Sequence, residues 1–299
     1  MKQKSWLPIY LLLGLVWGSS FVFIKLGLEF LTPVGVAFGR CALGAMILLL
    51  IVKVRGIKLP TDPKTWFILW IVSLLLNVFP GFLFAYAQQE VTTVLAGIIN
   101  AFTPLATLIF LFIFFRSEKI KIQQILGLVV GGIGVIVVLG IWNGIGTGSG
   151  SGVLALFAAI TCYGLSYPII RKYLTPLNLT AEALAASQVT AGALTLLPFY
   201  LIDGVASTEY RFGPVLAMML LGIFGSGFAY IWNFQIVERA GSSVASSVTY
   251  LTPVVAVFIG WIFLNENITW HEPVGGAIVV LGAAISQGRF SKKAAESSD

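Results

Sequence analysis

The sequence predicts an all-α integral membrane protein of ten transmembrane helices, arranged as two inverted five-helix repeats with both termini cytoplasmic. Three observations carry that expectation: a composition too apolar for a surface in water, ten apolar runs of roughly spanning length, and an ordered echo between the two halves of the chain. Of 299 residues, 58% are hydrophobic and only 10% charged, with a mean hydropathy of +0.96. A soluble chain keeps about a quarter of its residues charged, because its surface must face water. The net charge of +6 would fit nucleic acid in a soluble protein. Here the positions of the charges point to the lipid bilayer as partner, and no nucleic acid is expected.

A helix needs about 20 mostly apolar residues to cross a bilayer. The first five runs extend roughly over Leu7–Ile24, Val34–Val52, Trp66–Ala87, Val91–Phe115 and Ile122–Trp142. The second five extend over Val153–Ile170, Ala181–Ile202, Val215–Ile236, Ser242–Leu264 and Val274–Ser286. Lys2 and Lys4 would suit the n-region of a signal peptide, but no obvious small-x-small cleavage site follows, so the first run is read as a retained span. The uncharged stretch Gly144–Gly152 (GIGTGSGSG) reads as a flexible linker. The organisation is therefore a first five-helix repeat over 1–143, a linker loop over 144–152, a second repeat over 153–290 and a cytoplasmic tail over 291–299.

Basic residues set the orientation, because cytoplasmic loops collect Lys and Arg. Lys2, Lys4, Lys53, Arg55, Lys58, Lys64, Arg116, Lys119, Lys121, Arg171, Lys172, Arg239, Arg289, Lys292 and Lys293 all fall before the first run, after the last, or in alternate loops. The opposite side holds Arg211 and, at its edge, Lys25, which leaves Arg40 as the one base clearly inside a span.

The halves echo each other in order. Trp17-Gly18-Ser19-Ser20-Phe21, with Lys25 beyond it, matches Tyr163-Gly164-Leu165-Ser166-Tyr167 with Arg171. Each is followed by Leu-Thr-Pro, at Leu31 to Pro33 and Leu174 to Pro176. Asn100-Ala101-Phe102-Thr103-Pro104 matches Thr249-Tyr250-Leu251-Thr252-Pro253; each leads to an acid, Glu118 or Glu266; and Gly127 and Gly134 answer Gly275 and Gly282. With five spans per half, an odd number, the second half must sit upside down relative to the first. Inverted repeats of this kind place a site near the bilayer midplane, where the halves meet.

These residues resemble the EamA family of the drug/metabolite transporter superfamily, in its ten-helix bacterial type. The resemblance rests on Leu15-Val16-Trp17-Gly18-Ser19-Ser20-Phe21-Val22-Phe23-Ile24-Lys25, on Arg40 followed by small and apolar residues, on the paired Thr-Pro, and on Glu118 and Glu266 before Gly-rich final spans. It covers nearly all of the chain and is specific for family rather than substrate. It implies an inner-membrane carrier with a central cavity lined by helices other than the fifth and tenth; many members export amino acids or other small metabolites. The expected function is export of a small organic solute, most plausibly an amino acid or related carboxylate, by alternating access. Multidrug antiport is the alternative, and a structural or enzymatic membrane subunit the alternative of another class.

The candidate solute-binding residues follow from what a span tolerates. Arg40 lies about 10 Å into its helix at 1.5 Å per residue, where a charge is costly and by default functional. It either grips a carboxylate with its planar fork or snorkels and hydrogen-bonds to hold the fold. Pro104 and Pro253 are helix kinks that free the carbonyls of Asn100 and Thr249 for a ligand, water or an internal donor. Trp17 with Phe21, and Tyr163 with Tyr167, put paired rings on one helix face. Tyr86, Tyr230 and Tyr250 add rings that either clamp a solute or pack, and Gln188 is the deepest of several uncharged polar groups that include Gln88, Asn233 and Gln235. The expected solute-binding set is Trp17, Arg40, Tyr86, Asn100, Tyr163, Tyr167, Gln188, Tyr230, Thr249 and Tyr250.

No acid lies in the middle of a span, whereas small multidrug exporters of the superfamily carry one in their first span; the sequence therefore favours zwitterionic or anionic solutes. The single His271 reads as a surface residue at an outer loop. Cys41 and Cys162 lie in apolar runs, away from any disulfide framework. No metal, cofactor, phosphate loop or catalytic constellation is expected. Gly127-x-x-x-Gly131 is a small-residue face that suits packing within the chain or between protomers, leaving monomer and homodimer both open.

Overall fold

The computed structural model describes residues 6–114, 122–138, 150–264 and 269–286. Among these the chain is helical, with a lone bridge between Leu31 and Val205. The helices are α1 (Leu7–Gly27), α2 (Pro33–Val54), α3 (Pro63–Ala87), α4 (Thr93–Phe114), α5 (Ile122–Val138), α6 (Gly150–Leu177), α7 (Ala181–Asp203), α8 (Phe212–Ala240), α9 (242–264) and α10 (His271–Ser286). Seven of them, α1 to α4 and α6 to α8, are long and apolar enough to cross a bilayer. Glu118, Glu266, residues 144–149 of the expected linker and the tail 291–299 lie outside the described residues. Residues 150–152 of that linker are the first turn of α6.

Polar punctuation sets the helix starts. Thr32, Asp62, Thr92 and Thr180 each cap a helix by accepting, with the side chain, the N–H of Gly35, Thr65, Leu95 and Ala183 respectively. Pro33 and Pro63 follow their caps at the position where the lost N–H has no partner to lose. Thr180 corrects one feature of the repeat. The Leu-Thr-Pro at 174–176 does not match that at 31–33, because it forms the end of α6, and Thr180 is the residue that caps α7 as Thr32 caps α2. Gly241, with φ of 89°, turns the chain from α8 into α9, a conformation that a side chain would strain.

Equivalent helices of the two halves pack antiparallel. α2 lies along α7, with Thr32 at its start donating to the carbonyl of Asp203 and Arg55 past its end paired with Glu182 at 3.0 Å. The two helices are therefore antiparallel. α5 and α10 pack chiefly on one another and are antiparallel too: a Cβ at Gly134 would meet Val279 and the Gly275 carbonyl, and one at Gly282 would meet Gly131 and the Gly127 carbonyl. Those glycines are the ones the repeat pairs, and close backbone approach explains them.

Other contacts are exchanged between halves. α1 packs on α9 and α8, while α6 packs on α4 and α3. A Cβ at Gly18 would lie 2.5 Å from Cβ of Val255, and one at Gly164 would lie 2.6 Å from Cβ of Ala106. The outer surface carries exposed Leu11, Leu15, Met46, Leu50, Phe112, Leu154, Phe199 and Phe258. Such a girdle would be untenable in water and is the normal surface of a helix in lipid.

Candidate functional site

A cavity lies between the halves, lined by Trp17, Ser20, Phe21 and Ile24 of α1, Arg40 of α2, Leu76 and Phe84 of α3, Asn100 of α4, Tyr163 and Tyr167 of α6, Tyr230 of α8 and Thr249 of α9. Among the described residues, neither α5 nor α10 contributes to this lining. The space outside the atoms is about 480 Å³, of which the centres of water molecules could occupy about 40 Å³. That admits a few waters, so a solute needs the cavity to open further.

The helices lining the cavity are irregular there. α3 widens to π-helical turns over Leu74–Val78, and α8 does so over Leu221–Phe228. Pro80 follows the first of these and withdraws the donor that the Leu76 carbonyl would have had. The Tyr230 hydroxyl donates to that carbonyl instead, at 2.8 Å. Its ring meets Trp17 edge to face at 6.1 Å, and the indole N–H of Trp17 donates to the Gly225 carbonyl at 3.3 Å. Phe84 sits between Phe21 and Tyr163, edge-on to one and stacked on the other.

Arg40 is 5% exposed. Its Nε donates to the hydroxyl of Ser226 at 2.9 Å. No described Asp or Glu pairs with it: the ion pairs among the described residues join Arg55 to Glu182 and Arg211 to Glu29. Among the described residues, the cavity lining contains no carboxylate. A guanidinium held by one neutral hydroxyl in a buried site keeps most of its hydrogen-bonding capacity for something else.

Seven of the ten expected solute-binding residues come together at this cavity: Trp17, Arg40, Asn100, Tyr163, Tyr167, Tyr230 and Thr249. Three do not. Tyr86 stacks on Phe82 away from it, because its position on α3 falls on a different face from Phe84. Tyr250 packs with Ala101 and Val279, one residue past Thr249 and so rotated away. Gln188 is fully buried and donates to Asn77 Oδ1.

At the kinks, the internal-donor alternative holds. The carbonyls freed by Pro104 and Pro253 are taken up internally: Thr103 donates to Asn100 at 2.8 Å and Thr252 to Thr249 at 2.7 Å. What Asn100 offers is its side chain, whose amide donates to Thr252 Oγ1 at 3.3 Å and ties the two kinks together. His271 is likewise corrected from surface to buried, with its ring against the Thr269 hydroxyl at 2.9 Å. Glu272 accepts from the Thr269 N–H at 2.9 Å, which fastens the start of α10.

Sequence reasoning did not single out Ser226, Asn77, Leu76 or Phe84. Two of these left signals. Asn77 is the one polar residue between Ser73 and Gln88, just before Pro80-Gly81, and Ser226 sits in Gly225-Ser226-Gly227. Interrupted, Gly- and Pro-bearing spans at matching places of two halves mark a midplane site.

An irregular-helix cavity between two helical halves whose equivalent helices pack antiparallel, within a lipid-facing surface, defines a multi-pass membrane protein of the transporter kind. The chain belongs to the EamA-like transporter family, whose model matches it twice, over residues 4–140 and 150–287. It is 24% identical to the uncharacterized transporter YoaV of Bacillus subtilis over 93% of this chain and 95% of that protein. An uncharacterized transporter of Archaeoglobus fulgidus is 29% identical over 95% and 98%. The uncharacterized inner membrane transporter YedA of Escherichia coli is 27% identical over 97% and 94%. A crystal structure with 18% sequence identity shares the fold, with a TM-score of 0.71 over 95% of this chain and 97% of that one.

Proposed function

We propose that this membrane transporter moves small organic solutes carrying a carboxylate, amino acids above all, by alternating access at the cavity between its halves, with export as the net direction. The observation that carries the substrate class is Arg40: a buried guanidinium on the cavity wall that donates to Ser226, in a lining that has no acid among the described residues. The planar fork matches a carboxylate, and the low dielectric makes the pairing strong. The rings of Trp17, Tyr163, Tyr167 and Tyr230 flank the site and suit the apolar part of such a solute. Proton-driven drug antiport would call for a carboxylate at the same wall.

The same reading has ten spans in two inverted repeats, 1–143 and 153–290, with both termini cytoplasmic in a bacterial inner membrane. Antiparallel α2 with α7 and α5 with α10 support the inversion. The name of the Escherichia coli relative supports the location. The working unit is a monomer or homodimer that uses no metal or cofactor, and its chemistry is transport rather than catalysis.

The test is uptake into liposomes containing the purified protein, offered labelled amino acids, organic acids and cationic dyes with and without an imposed pH gradient. Saturable movement of carboxylate solutes, inhibited by one another, is expected. Dye movement driven by the gradient, with no carboxylate transport, would overturn the substrate class.

A further inference from the structure

The cavity is lopsided with respect to the repeat. Counted from the helix starts, Arg40 on α2 stands where Gln188 stands on α7, and Ser226 on α8 stands where Asn77 stands on α3. The contacts correspond as well. Arg40 donates to Ser226, and Gln188 donates to Asn77. Each long polar side chain of a second helix thus reaches a short polar one in the π-helical stretch of the other half's third helix.

The environments of the two pairs differ. On the first side Ser20, Ile24, Arg40 and Phe84 line the cavity. Their equivalents Ser166, Ile170, Gln188 and Asn233 are all buried to 1% exposure or less and do not line it. On the axis between them, Trp17 with Tyr163, Phe21 with Tyr167, and Asn100 with Thr249 line the cavity as matched pairs. Because α2 and α7 are antiparallel, Arg40 and Gln188 sit roughly 10 Å in from opposite ends of the bundle. Arg40 is nearer the end that carries Glu29 and Arg211, and Gln188 is nearer the end that carries Arg55 and Glu182.

The closed side is short of partners. Asn77 Nδ2, Gln188 Oε1 and both amide atoms of Asn233 are buried with no hydrogen bond. Unpaired polar atoms at such depth in a lipid-embedded protein are costly, so a structure keeps them where an occupant satisfies them in some state. Together they need a guest that both accepts and donates. Water does both, and so do the ammonium and carboxylate of a zwitterion.

We infer that Asn77, Gln188 and Asn233 form a second polar station for the solute, closed here, which faces the end bearing Arg55 and Glu182 when the two halves exchange conformations. In this structure the Gln188–Asn77 bond holds that side shut while the Arg40 side carries the cavity. In the exchanged state Ser166 and Ile170 line the cavity, and the solute meets neutral amides in addition to the axial rings. The inference rests on alternating access as proposed above, but not on the identity of the solute.

The experiment uses single-cysteine reporters in full-length protein with Cys41→Ala and Cys162→Ala. Ser20→Cys and Ser166→Cys are near-isosteric and occupy equivalent places. Each is labelled with a membrane-impermeant thiol reagent in right-side-out and inside-out vesicles. Ser20→Cys is expected to react from one face and Ser166→Cys from the other. Adding Gln188→Ala, or separately Asn77→Ala, should raise the rate at Ser166→Cys several-fold and lower that at Ser20→Cys, because the closing bond is lost and the population shifts. Ser166→Cys unreactive from both faces, or reactive from the same face as Ser20→Cys, would overturn the inference, as would rates that ignore both amide substitutions. Reciprocal labelling in a protein that moves no carboxylate would leave this inference standing and remove only the substrate assignment.

Discussion

The ammonium of Lys25 donates to the backbone carbonyl of Gln88 at 2.7 Å, and Arg171 repeats the arrangement in the other half by donating to the carbonyl of Val237 at 3.1 Å. In each case a base at the end of the first helix of a repeat serves a carbonyl near the end of its third, α3 or α8, where the dipole is negative; the Val237 carbonyl also accepts the Gly241 N–H at 3.0 Å. Lys25 also sits beside a second fastening, since the Gln88 side chain donates to the Phe21 carbonyl at 2.9 Å. Lys25→Ala should lower the stability of detergent-solubilised protein by about 1–2 kcal/mol. Arg171→Ala should lower it less, because Arg171 is exposed. Thermal unfolding followed by circular dichroism reads both, and equal or reversed effects would contradict the assignment.

Arg40→Ala should reduce transport of carboxylate solutes at least tenfold while the protein remains folded and inserted. Arg40→Lys should recover only part of it, because an ammonium keeps the charge and loses the fork. Liposome uptake, paired with gel filtration, separates loss of binding from loss of fold. Normal uptake by Arg40→Ala would show the guanidinium to be structural.

Thr103 and Thr252 each replace a donor that a proline removed, so a near-isosteric Thr→Val at either place strands a buried carbonyl. The expected cost is about 1–3 kcal/mol each. The two should not be additive, because Asn100 joins the kinks through Thr252. A double-mutant cycle on unfolding provides the check, with simple additivity as the contrary result.

Gly18 and Gly164 occupy equivalent close approaches, yet their neighbours differ. The nearest atoms to a Cβ at Gly18 belong to the side chain of Val255, while one at Gly164 also meets backbone of Ala106 and Thr107 at 2.8 and 2.9 Å. Side chains give way more readily than backbone, so Gly164→Ala should destabilise more than Gly18→Ala, by about 1–3 kcal/mol against less. Comparing melting temperatures of the two variants tests the order.

Asp62 caps α3 in the loop after α2, accepting the backbone N–H and the hydroxyl of Thr65, both at 2.9 Å. The Thr65 backbone bond, and after it the hydroxyl bond, hold the Asp62 carboxyl below its ordinary range. A pKa depressed by folding contributes stability above the unfolded value, about 3.9, and loses it as pH falls through the folded one. The melting temperatures of Asp62→Ala and the native protein should therefore differ most near neutrality and converge below about pH 4. A gap that widens in acid would contradict the capping role.

Membrane class, the rough helix limits, the repeat and the matched Thr-Pro sites were all legible from the sequence, because they depend on local composition and order. A segment rich in Leu, Val and Phe must leave water wherever its neighbours are, and a proline frees the same carbonyl in any tertiary context. Which faces of those helices meet was not legible. In lipid a helix is apolar toward both its neighbours and its surroundings, so the spacing of apolar residues does not mark the inward face. Tyr86 and Phe84, or Thr249 and Tyr250, are thus alike to a reader of sequence, and only packing sends Phe84 and Thr249 to the cavity. The tertiary structure alone paired Arg40 with Ser226 and Gln188 with Asn77, because those contacts join residues far apart in the chain through the antiparallel crossing of two halves.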